Sequence, residues 1–387
     1  MSRRQGTLCF TQADHAHTNS DADSDTLSNK EPDTRTHADA NDIARTTNET
    51  KTDEGNEKLF QSENRDSTDN ESKNKRKRKA TKTKPQYLPI ENIADIYVFG
   101  SLDANSALFN FLGKRGIPLH FFDYYENYTG SFLPRDYLVA GKVQMAQAGL
   151  YSDSEKRLNL ARRLISGASA NIVKNLKYYG GRGRNIDNEL ERIETIREQF
   201  DRCTDIAQLM GREGLIRRLY YRTFERILQR SDLKFEHRSR RPPSNEVNAL
   251  ISFANSMVYS ASLSQLYHTQ LSPAISFLHE PGARRFSLAL DLAEIFKPLL
   301  ADRLIFSMLN RLELKARDFD RELFGCLLKK NAREKFVRAF DTRLKETIQH
   351  RTLHRSVSYR HLIRLECYKI EKHILGIEQY DPFVSWW

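Results

Sequence analysis

The sequence H-E-P-G-A-R-R-F-S-L-A-L-D-L-A-E-I-F-K-P, residues 279–298, joins a charged loop to an apolar helix. Its apolar side chains recur three or four positions apart at Leu288, Leu292, Ile295 and Phe296. This spacing places them on one face of an α-helix, so the second half of the stretch is predicted to pack against a core. The helical pattern continues to residue 314, and Pro298 is predicted to kink it.

The polar residues of the same stretch form a candidate ligand set. Asp291 and Glu294 are three positions apart and therefore neighbours on the helix surface. A straight helix would hold His279 roughly 22 Å from Glu294, whereas ligands of one ion lie about 2 Å from it. Pro281 and Gly282 supply a break that would fold His279 back over the helix start.

Two arginines, Arg284 and Arg285, lie between the histidine and the acids. A loop histidine, a helix with two acids and intervening arginines are suited to hold a divalent cation against a phosphate. For His279 taken alone, a hydrogen-bonded core histidine is the simpler interpretation. The residues by themselves leave both interpretations open.

A second cluster is L-M-G-R-E-G-L-I-R-R-L-Y, residues 209–220, in which Glu213 stands between Gly211 and Gly214. Glycines weaken a helix. Their presence here is explained if another helix or a ligand approaches the backbone closely beside the carboxylate. The alternative is that Glu213 is exposed and pairs with Arg217, four positions on.

A third cluster is R-R-P-P-S-N-E-V-N-A-L-I-S-F-A-N-S-M-V-Y-S, residues 240–260. Ser244 is predicted to cap a helix that begins near residue 245. A polar stripe recurs at helical spacing among apolar residues: Asn248, Ser252, Asn255 and Tyr259. Buried polar groups need partners, so the stripe is either satisfied by neighbouring helices or lines a site.

Helical patterns dominate the chain from residue 136 onward. They cover residues 138–150, 154–179, 185–200, 205–229, 245–269, 287–314, 319–328 and 332–347. No internal repeat is evident, so a globular helical domain is predicted and not a solenoid.

The preceding residues, 87–135, have a β-rich character. Strands are predicted at 93–99 and 119–125, a helix at 105–114 and a turn at 127–130. The aromatic residues of this region either stack on bases or belong to the core: Phe121, Phe122, Tyr124, Tyr125 and Tyr128. His120 is predicted to be a packed histidine.

The first 86 residues differ from the rest of the chain. Residues 6–11 are predicted to form one short strand, and residues 12–84 have too few apolar side chains to fold, so they are predicted to be a disordered insert. The patterns as a whole predict an α+β protein, with a small N-terminal β-rich domain at 87–135 followed by a larger all-α domain at 136–387.

Charge and composition restrict the partners of this 387-residue chain. Its net charge is +11, and its pI is near 9.4. Residues 1–86 contain 16 basic and 16 acidic residues, so the whole excess lies on the part that is predicted to fold. A basic folded surface favours nucleic acid as partner. A basic chain with no specific partner is the alternative.

The predicted compartment is the cytoplasm. No run of about 18 apolar residues suggests a membrane-spanning helix, and residues 1–10 lack the apolar core of a signal peptide. The four cysteines show no C-x-x-C spacing, which is typical of reduced thiols and gives no zinc ribbon.

Eight segments, in their order and spacing, resemble one family, the CRISPR-associated adaptation integrase that is the first of the Cas proteins, in particular its type I-B branch. The resemblance covers roughly residues 87–387. The segments are I-A-D-I-Y-V-F-G (93–100), G-I-P-L-H-F-F-D-Y-Y (116–125), G-S-F-L-P-R-D-Y-L (130–138), L-M-G-R-E-G (209–214), R-P-P-S-N-E-V-N-A-L-I-S-F (241–253), S-P-A-I-S-F-L-H-E (272–280), S-L-A-L-D-L-A-E-I-F-K-P (287–298) and S-Y-R-H-L-I-R-L-E-C-Y-K (358–369).

The resemblance implies a dimerising N-terminal β domain, a helical catalytic domain and a homodimer. It implies a Mg²⁺ or Mn²⁺ ion bound by Glu213, His279 and Glu294, with Asp291 at a position also implicated in activity. By the same matching, Arg284 and Lys297 would contact DNA phosphates, and Tyr259 and Asn255 would line the site. Arg285 would help them to neutralise the region of the scissile phosphate.

The implied activity is that of a metal-dependent DNA endonuclease and integrase in CRISPR spacer acquisition, an antiviral defence. A 3′-hydroxyl of a short double-stranded fragment would be joined to the CRISPR repeat by transesterification. The implied partner is the small second Cas protein, which bridges two dimers into a hetero-hexamer. A catalytically idle DNA-binding scaffold and a nuclease for branched DNA are the alternatives. The sequence departs from the family at its start, where the first strand of an opening pair is expected to be missing.

Overall fold

The computed structural model describes residues 2–4, 7–10, 86–134, 138, 140–240, 242–282, 286–322 and 325–386. The predicted disordered insert, residues 12–84, lies outside the described residues. Among the described residues, those of 1–10 and 87–387 cluster as one compact unit. The architecture is mixed α/β and mostly helical.

A short antiparallel pair opens the chain. Strand β1 (Ser2–Arg4) pairs with β2 (Thr7–Phe10), and β3 (Gln86–Pro89) is the next strand of the same sheet. The strand predicted at 6–11 is therefore confirmed as β2. A strand also precedes it, although none was expected.

The second sheet contains a βαβ unit. Strand β4 (Ile96–Phe99) runs parallel to β5 (Leu119–Phe122), helix α1 (Ser106–Arg115) connects them, and β6 (Tyr128–Phe132) pairs antiparallel with β5. The side chain of Asn105 caps α1 by accepting from the backbone nitrogen of Leu108 at 3.2 Å. The turn predicted at 127–130 is placed too late, because the chain reverses at residues 124–126 and residues 128–130 already belong to β6.

The two faces of this sheet have different partners. One packs with α1 around a small cluster: Ile90, Leu108, Phe111, Leu112, Ile117 and Leu119. Phe122 belongs instead to the large core that it shares with the helices. His120 is fully buried, with Nδ1 2.6 Å from the Ser131 hydroxyl. Tyr124 and Tyr125 are 68% and 54% exposed, and their rings contact each other edge to face with centroids 5.3 Å apart.

The helices that follow agree with most of the predicted spans. They are α2 (Gly141–Ser152), α3 (Ser154–Gly180), α4 (Asp187–Arg197), α5 (Ile206–Arg222), α6 (Phe224–Leu228), α7 (Glu246–Tyr267), α8 (Ser287–Phe296), α9 (Arg303–Asn310), α10 (Lys330–Lys345) and α11 (Tyr359–Ile374). α11 has no counterpart among the predicted helices. α7 is buried along nearly its whole length and packs against α8 and α11.

The region predicted to be all-α also contains two β-hairpins, which corrects that part of the fold prediction. The helix predicted at 319–328 is a hairpin of β7 (Phe319–Glu322) and β8 (Gly325–Leu328). Gly325 adopts φ 138°, a backbone conformation that other residues rarely adopt, and a Cβ atom built there would lie only 2.7 Å from Pro242 Cβ. A second hairpin joins β9 (Thr347–Gln349) to β10 (Ser356–Ser358).

The start of α7 differs slightly from the prediction. Its N-cap is Asn245, whose side chain accepts from the backbone nitrogen of Asn248 at 2.9 Å. Ser244, the predicted cap, instead hydrogen-bonds the Ser239 hydroxyl at 2.7 Å.

Pro298 interrupts the long helical run as predicted. Residues Lys297–Asp302 form a π-helical turn between α8 and α9. Such turns occur often at functional sites. None of the helices in the described ranges is long and apolar enough to cross a membrane.

Candidate active site

Glu213 lies on α5, which Asp205 caps by accepting from the backbone nitrogen of Gln208 at 2.8 Å. Ile216 and Tyr220 of the same helix are buried in the core. The Glu213 side chain retains 22% exposure and lines a cleft.

Arg217 joins two carboxylates that are far apart in the chain. Its Nε donates to Glu213 Oε1 at 3.0 Å, and a terminal nitrogen donates to Glu294 Oε2. Lys297 donates from Nζ to the other oxygen of Glu294. The structure thus brings the predicted pair Glu213 and Glu294 together, with two cations between and beside them. The pairing of Glu213 with Arg217 that the sequence allowed is present, but the pair is largely buried.

His279 is held by Asp291. Its Nδ1 lies 2.8 Å from Asp291 Oδ1. The fully buried Asp291 carboxylate also accepts from the backbone nitrogens of Phe277, Leu278 and His279 at 2.8, 3.0 and 3.0 Å. An ionised carboxylate only accepts, so Nδ1 donates to it, and in a neutral ring Nε2 is then the acceptor. His279 is therefore held against α8, as predicted.

The predicted metal ligands do not surround a common point. Among the residues that the structure describes, no three His, Cys, Asp or Glu side chains lie close enough together to hold a metal ion. Both oxygens of Glu294 are engaged by Arg217 and Lys297. With Arg217 in this position, the side chains therefore do not fit a divalent ion.

Burial shifts the pKa of two charged groups beside this cluster. Burial, followed by repulsion from Arg217, lowers the pKa of Lys297 to about 8. Burial raises the pKa of Asp302 to about 6, although the nearby Arg217 opposes the change. Sequence reasoning missed Asp302, whose only signal was its position eight residues after Glu294.

The π-helical turn between α8 and α9 is hydrogen-bonded from α3. Asn171 donates to the carbonyl of Ile295 at 3.0 Å, and Asn175 donates to that of Pro298 at 2.7 Å. Proline lacks an N–H and a π turn changes the hydrogen-bond pattern, so such carbonyls need outside donors. The two asparagines therefore stabilise the backbone that carries Glu294 and Lys297.

The predicted DNA contacts have different outcomes. Arg284 and Arg285 lie outside the described residues. Tyr259 is 7% exposed, and its hydroxyl accepts from the backbone nitrogen of Phe286 at 3.1 Å, immediately before α8. Asn255 is half-buried on the same helix as Tyr259. Tyr259 therefore positions the start of the acid-bearing helix.

The polar stripe on α7 is satisfied by a neighbouring loop. Asn248 Oδ1 accepts from Arg238 at 3.0 Å and from the backbone nitrogen of Ser239 at 3.0 Å. Ser252 accepts from Arg238 at 2.9 Å. The first half of the stripe thus fixes an arginine at the edge of the cleft.

The cleft beside Glu213 has a volume of about 500 Å³ and a basic lining. Five arginines contribute to it: Arg217, Arg218, Arg222, Arg238 and Arg240. Two acids, Glu213 and Glu236, also line it, so cations outnumber anions. The arginines on α5 recur at one helix face, and this pattern in the sequence could have indicated the basic cleft.

The two glycines flanking Glu213 do not serve helix packing. A Cβ atom built on Gly211 or Gly214 would meet nothing within 4 Å among the described residues. Gly214 lines the cleft next to Glu213. The glycines could admit either another helix or a ligand, and the open space agrees with access for a ligand.

The sequence matches a family described as "CRISPR associated protein Cas1" over residues 67–342. It is 43% identical over 300 residues to a CRISPR-associated endonuclease Cas1 of Fusobacterium nucleatum, covering 78% of this chain and 88% of the relative. It is 46% identical over 307 residues to a CRISPR-associated endonuclease Cas1 of Thermodesulfovibrio yellowstonii, covering 79% and 93%.

Solved structures have the same fold. A Cas1 protein from Thermotoga maritima superposes with a TM-score of 0.70 at 37% identity, covering 78% of this chain and 92% of the other. A casposase bound to its integration product has a TM-score of 0.69 at 19% identity, covering 79% and 86%. A chain of a Cas6-RT-Cas1–Cas2 complex has a TM-score of 0.67 at 19% identity, covering 78% and 33%.

Proposed function

Because the chain belongs to the Cas1 family of CRISPR-associated proteins, we propose that it is a DNA endonuclease and integrase of CRISPR adaptation. The observation that carries the proposal is the pairing of Glu213 with Glu294 beside a cleft rich in arginines. The relatives named as endonucleases support the nuclease activity. The likeness to a casposase with its integration product shows the fold that the two proteins share.

The proposed reaction is strand joining at a CRISPR repeat. The 3′-hydroxyl oxygen of a short double-stranded fragment attacks a repeat phosphodiester, a new P–O bond forms, and the repeat strand leaves with a free 3′-hydroxyl. With water in place of the hydroxyl, the same site cuts DNA.

His279, Lys297 and the cleft arginines have defined roles in this proposal. Asp291 holds the His279 ring so that Nε2 faces away from the carboxylate as an acceptor. Lys297 and the cleft arginines neutralise the phosphate at which negative charge develops. These roles come from the hydrogen bonds and the charge around the cleft.

Mg²⁺ or Mn²⁺ as cofactor, bound by Glu213, His279 and Glu294, remains part of the proposal. Carboxylates and an imidazole are donors that such ions accept. The present contacts of Arg217 would have to change first.

The proposed assembly is a homodimer that acts with the small second Cas protein. The complex of a related chain with Cas2 supports this partner. Residues 87–135 would form the dimerising domain and residues 136–387 the catalytic domain. The type I-B branch and a cytoplasmic location remain predictions.

The test is an integration assay with Mn²⁺, the second Cas protein, a fragment with free 3′-hydroxyls and a supercoiled plasmid that carries a CRISPR repeat. Joined product is expected from the parent, and none from Glu213→Ala or His279→Ala. Equal joining by parent and variants would reduce the protein to a DNA-binding scaffold. Cutting without joining would favour a nuclease for branched DNA.

A further inference from the structure

The β9–β10 hairpin and the start of α11 lie in a stretch of the chain without acidic residues. Residues 347–365 contain four arginines and three histidines and no aspartate or glutamate. The tip of the hairpin is the segment H-R-T-L-H-R, residues 350–355, between the two strands. Positive charge on this tip therefore has no acid close to it in the sequence.

The arginines of this stretch differ in their partners. Arg360 pairs with Asp95 and Asp341 at 3.2 and 3.3 Å. Within the described part of the chain, the other three arginines have no acid at ion-pair distance: Arg351, Arg355 and Arg364. Arg364 donates instead to the side-chain oxygen of Gln265 at 3.0 Å. Arg351 and Arg355 are exposed on the tip, where an anion from outside can reach them.

His350 fixes the shape of the tip. Its Nδ1 accepts from the backbone nitrogens of Thr352 and Leu353 at 3.3 and 3.2 Å. Its own backbone nitrogen donates to the carbonyl of Arg355 at 2.9 Å. A ring that accepts at Nδ1 is neutral and carries its proton on Nε2. Burial, followed by repulsion from Lys369 and Arg355, lowers the pKa of His350 and so favours this neutral form.

The ring of Trp386 connects the tip to the core. Its centroid lies 6.3 Å from that of His350 and 5.7 Å from that of Phe383. Phe383 in turn stacks on Phe296, the last residue of α8, at 6.0 Å. The guanidinium carbon of Arg351 lies 4.9 Å from the centroid of the Trp386 ring. A guanidinium that stacks on an aromatic ring keeps its N–H groups in a fixed plane, where they can bind a phosphate.

The side chains of the tip favour a polyanion over a protein partner. The centre of a protein interface is apolar or aromatic, whereas the large apolar side chain that the tip exposes is Leu353, at 41%. Arginine donates two parallel N–H groups to a phosphate. Lysine and arginine contacts with backbone phosphates supply most of the affinity of proteins for DNA in general. The tip thus has the chemistry of a phosphate-binding element.

We propose that the tip of the β9–β10 hairpin is a second DNA-binding surface, where Arg351 and Arg355 bind backbone phosphates and His350 fixes the tip in the shape that presents them. The described residues that line the cleft beside Glu213 include none of these three. DNA therefore contacts the protein at two separate places. This inference rests on the proposed function and adds to it a contact outside the active site.

The first experiment measures the salt dependence of DNA affinity by fluorescence anisotropy. It uses EDTA and a duplex that ends in 3′-phosphates, so that binding is followed without joining. Arg351→Gln and Arg355→Gln should each lower the slope of log K against log salt by about 0.9, the value for one phosphate contact. Arg338→Gln on α10 is the matched control, since its side chain is 84% exposed but lies 4.0 Å from Glu334. It should leave the slope unchanged.

The second experiment combines both tip substitutions with Arg240→Gln in the cleft. Contacts at separate sites contribute independently. The three substitutions together should therefore lower the slope by about 2.7, three times the value for one contact. A loss no larger than that of Arg240→Gln alone would mean that the tip arginines do not contact DNA, and the proposal would be overturned.

The third experiment tests His350 as a positioning residue. His350→Ala removes the acceptor of the tip and keeps both arginines, so DNA affinity should fall. His350→Asn supplies a side-chain oxygen that can accept from the backbone two residues on, so it should restore the affinity. Both variants lack the ring beside Trp386, so thermal unfolding should show the same stability for the two. Equal DNA affinity of the two variants would refute the role assigned to His350.

The outcomes separate this inference from the proposed function. If Arg351→Gln and Arg355→Gln keep the slope of the parent while Arg240→Gln lowers it, the second surface is refuted and the integrase proposal is untouched. If the tip variants keep the parent's slope but lose binding of the second Cas protein, measured by gel filtration without DNA, the tip binds a protein and the inference is also refuted. If the parent joins no DNA in the integration assay, the proposed function fails, and the slopes still decide whether the tip binds DNA.

Discussion

Asp291 is a positioning residue with a structural role of its own. Its carboxylate accepts from three consecutive backbone nitrogens and from His279 Nδ1, and it is fully buried. Leaving buried N–H groups without partners costs about 1–3 kcal/mol each. The same side chain thus shapes the loop and selects the ring tautomer of His279.

We therefore expect Asp291→Ala and His279→Ala to differ in stability but not in activity. Both should lose strand joining. Asp291→Ala should also lower the free energy of unfolding by about 3 kcal/mol, whereas His279→Ala, at a side chain 27% exposed, should lower it by less than about 1 kcal/mol. Urea denaturation of both variants checks this. Equal destabilisation would contradict the role assigned to Asp291.

Glu126 is a buried acid at the turn between β5 and β6. It has φ 65° and 5% exposure, and it lies 3.4 Å from Arg333 on α10. Burial raises the pKa of Glu126 to about 7, although Arg333 opposes the change. Between its ordinary pKa and 7, the folded state binds more protons than the unfolded state. The stability that this group contributes is therefore lost as the pH rises through about 7.

Glu126→Gln removes this proton linkage. The free energy of unfolding of the variant minus that of the parent should increase by about 3 kcal/mol as the pH rises from about 4 to 8. The buried His120, whose pKa burial lowers to about 4, is present in both proteins and cancels in the difference. Urea denaturation across this pH range measures the difference. Parallel curves for the two proteins would show that Glu126 is ionised when folded.

At the scale of elements, α3 supports the site from behind. Asn171 and Asn175 donate to carbonyls at the junction of α8 and the π-helical turn. Asn171 also donates to the carbonyl of Phe383, and its oxygen accepts from the backbone nitrogen of Ser385 at 2.9 Å. Through α3, the C-terminal segment is thus packed against the same layer as the acid-bearing helix.

The contact between α3 and this segment depends on Gly167. A Cβ at Gly167 would lie 2.9 Å from Pro382 Cγ and closer still to its Cβ. Gly167→Ala should therefore lower the free energy of unfolding, because overpacking costs about 1–3 kcal/mol, which exceeds the helix-propensity gain of about 1 kcal/mol.

Gly149→Ala on α2 is the matched control, since a Cβ there meets nothing within 4 Å among the described residues. It should raise the free energy of unfolding by about 0.5–1 kcal/mol. Thermal and urea unfolding of the two variants make the comparison. A stabilising Gly167→Ala would mean that the C-terminal segment does not pack as described.

At the scale of the whole molecule, the net charge of +11 belongs to residues 87–387. Five arginines of one cleft concentrate part of this charge beside the candidate active site. Binding to DNA phosphates releases counter-ions, so affinity should fall steeply with salt.

We expect log K for duplex DNA to fall linearly with log salt. If about six phosphates are contacted, the affinity should drop about a thousandfold between 50 and 200 mM salt. Arg240→Gln, in the cleft, should lower the slope by about 0.9. Arg338→Gln, on α10 with a side chain 84% exposed, should leave the slope unchanged. Equal effects of the two substitutions would place the DNA elsewhere.

The sequence by itself determined most of the helices, the βαβ order of the second sheet and the residues of the candidate site. Apolar side chains three or four apart specify a helix locally, and Asn105 caps α1 by contacts within its own turn. The break at Pro298 followed in the same way, because proline lacks a backbone donor. The family resemblance rested on short segments, whose order can be seen in the sequence alone.

Only the tertiary structure decided what these residues contact. Apolar spacing at 319–328 favoured a helix, but the residues form a hairpin, in which the backbone nitrogen of Cys326 donates to the carbonyl of Pro243 in a distant segment at 2.9 Å. The bond from Arg217 to Glu294 joins positions 77 apart, and its formation depends on how α5 packs relative to α8. Local periodicity records which face of a helix is buried. The packing of distant elements then decides which charges meet across the cleft. These charges pair because burial makes an unpaired charge costly.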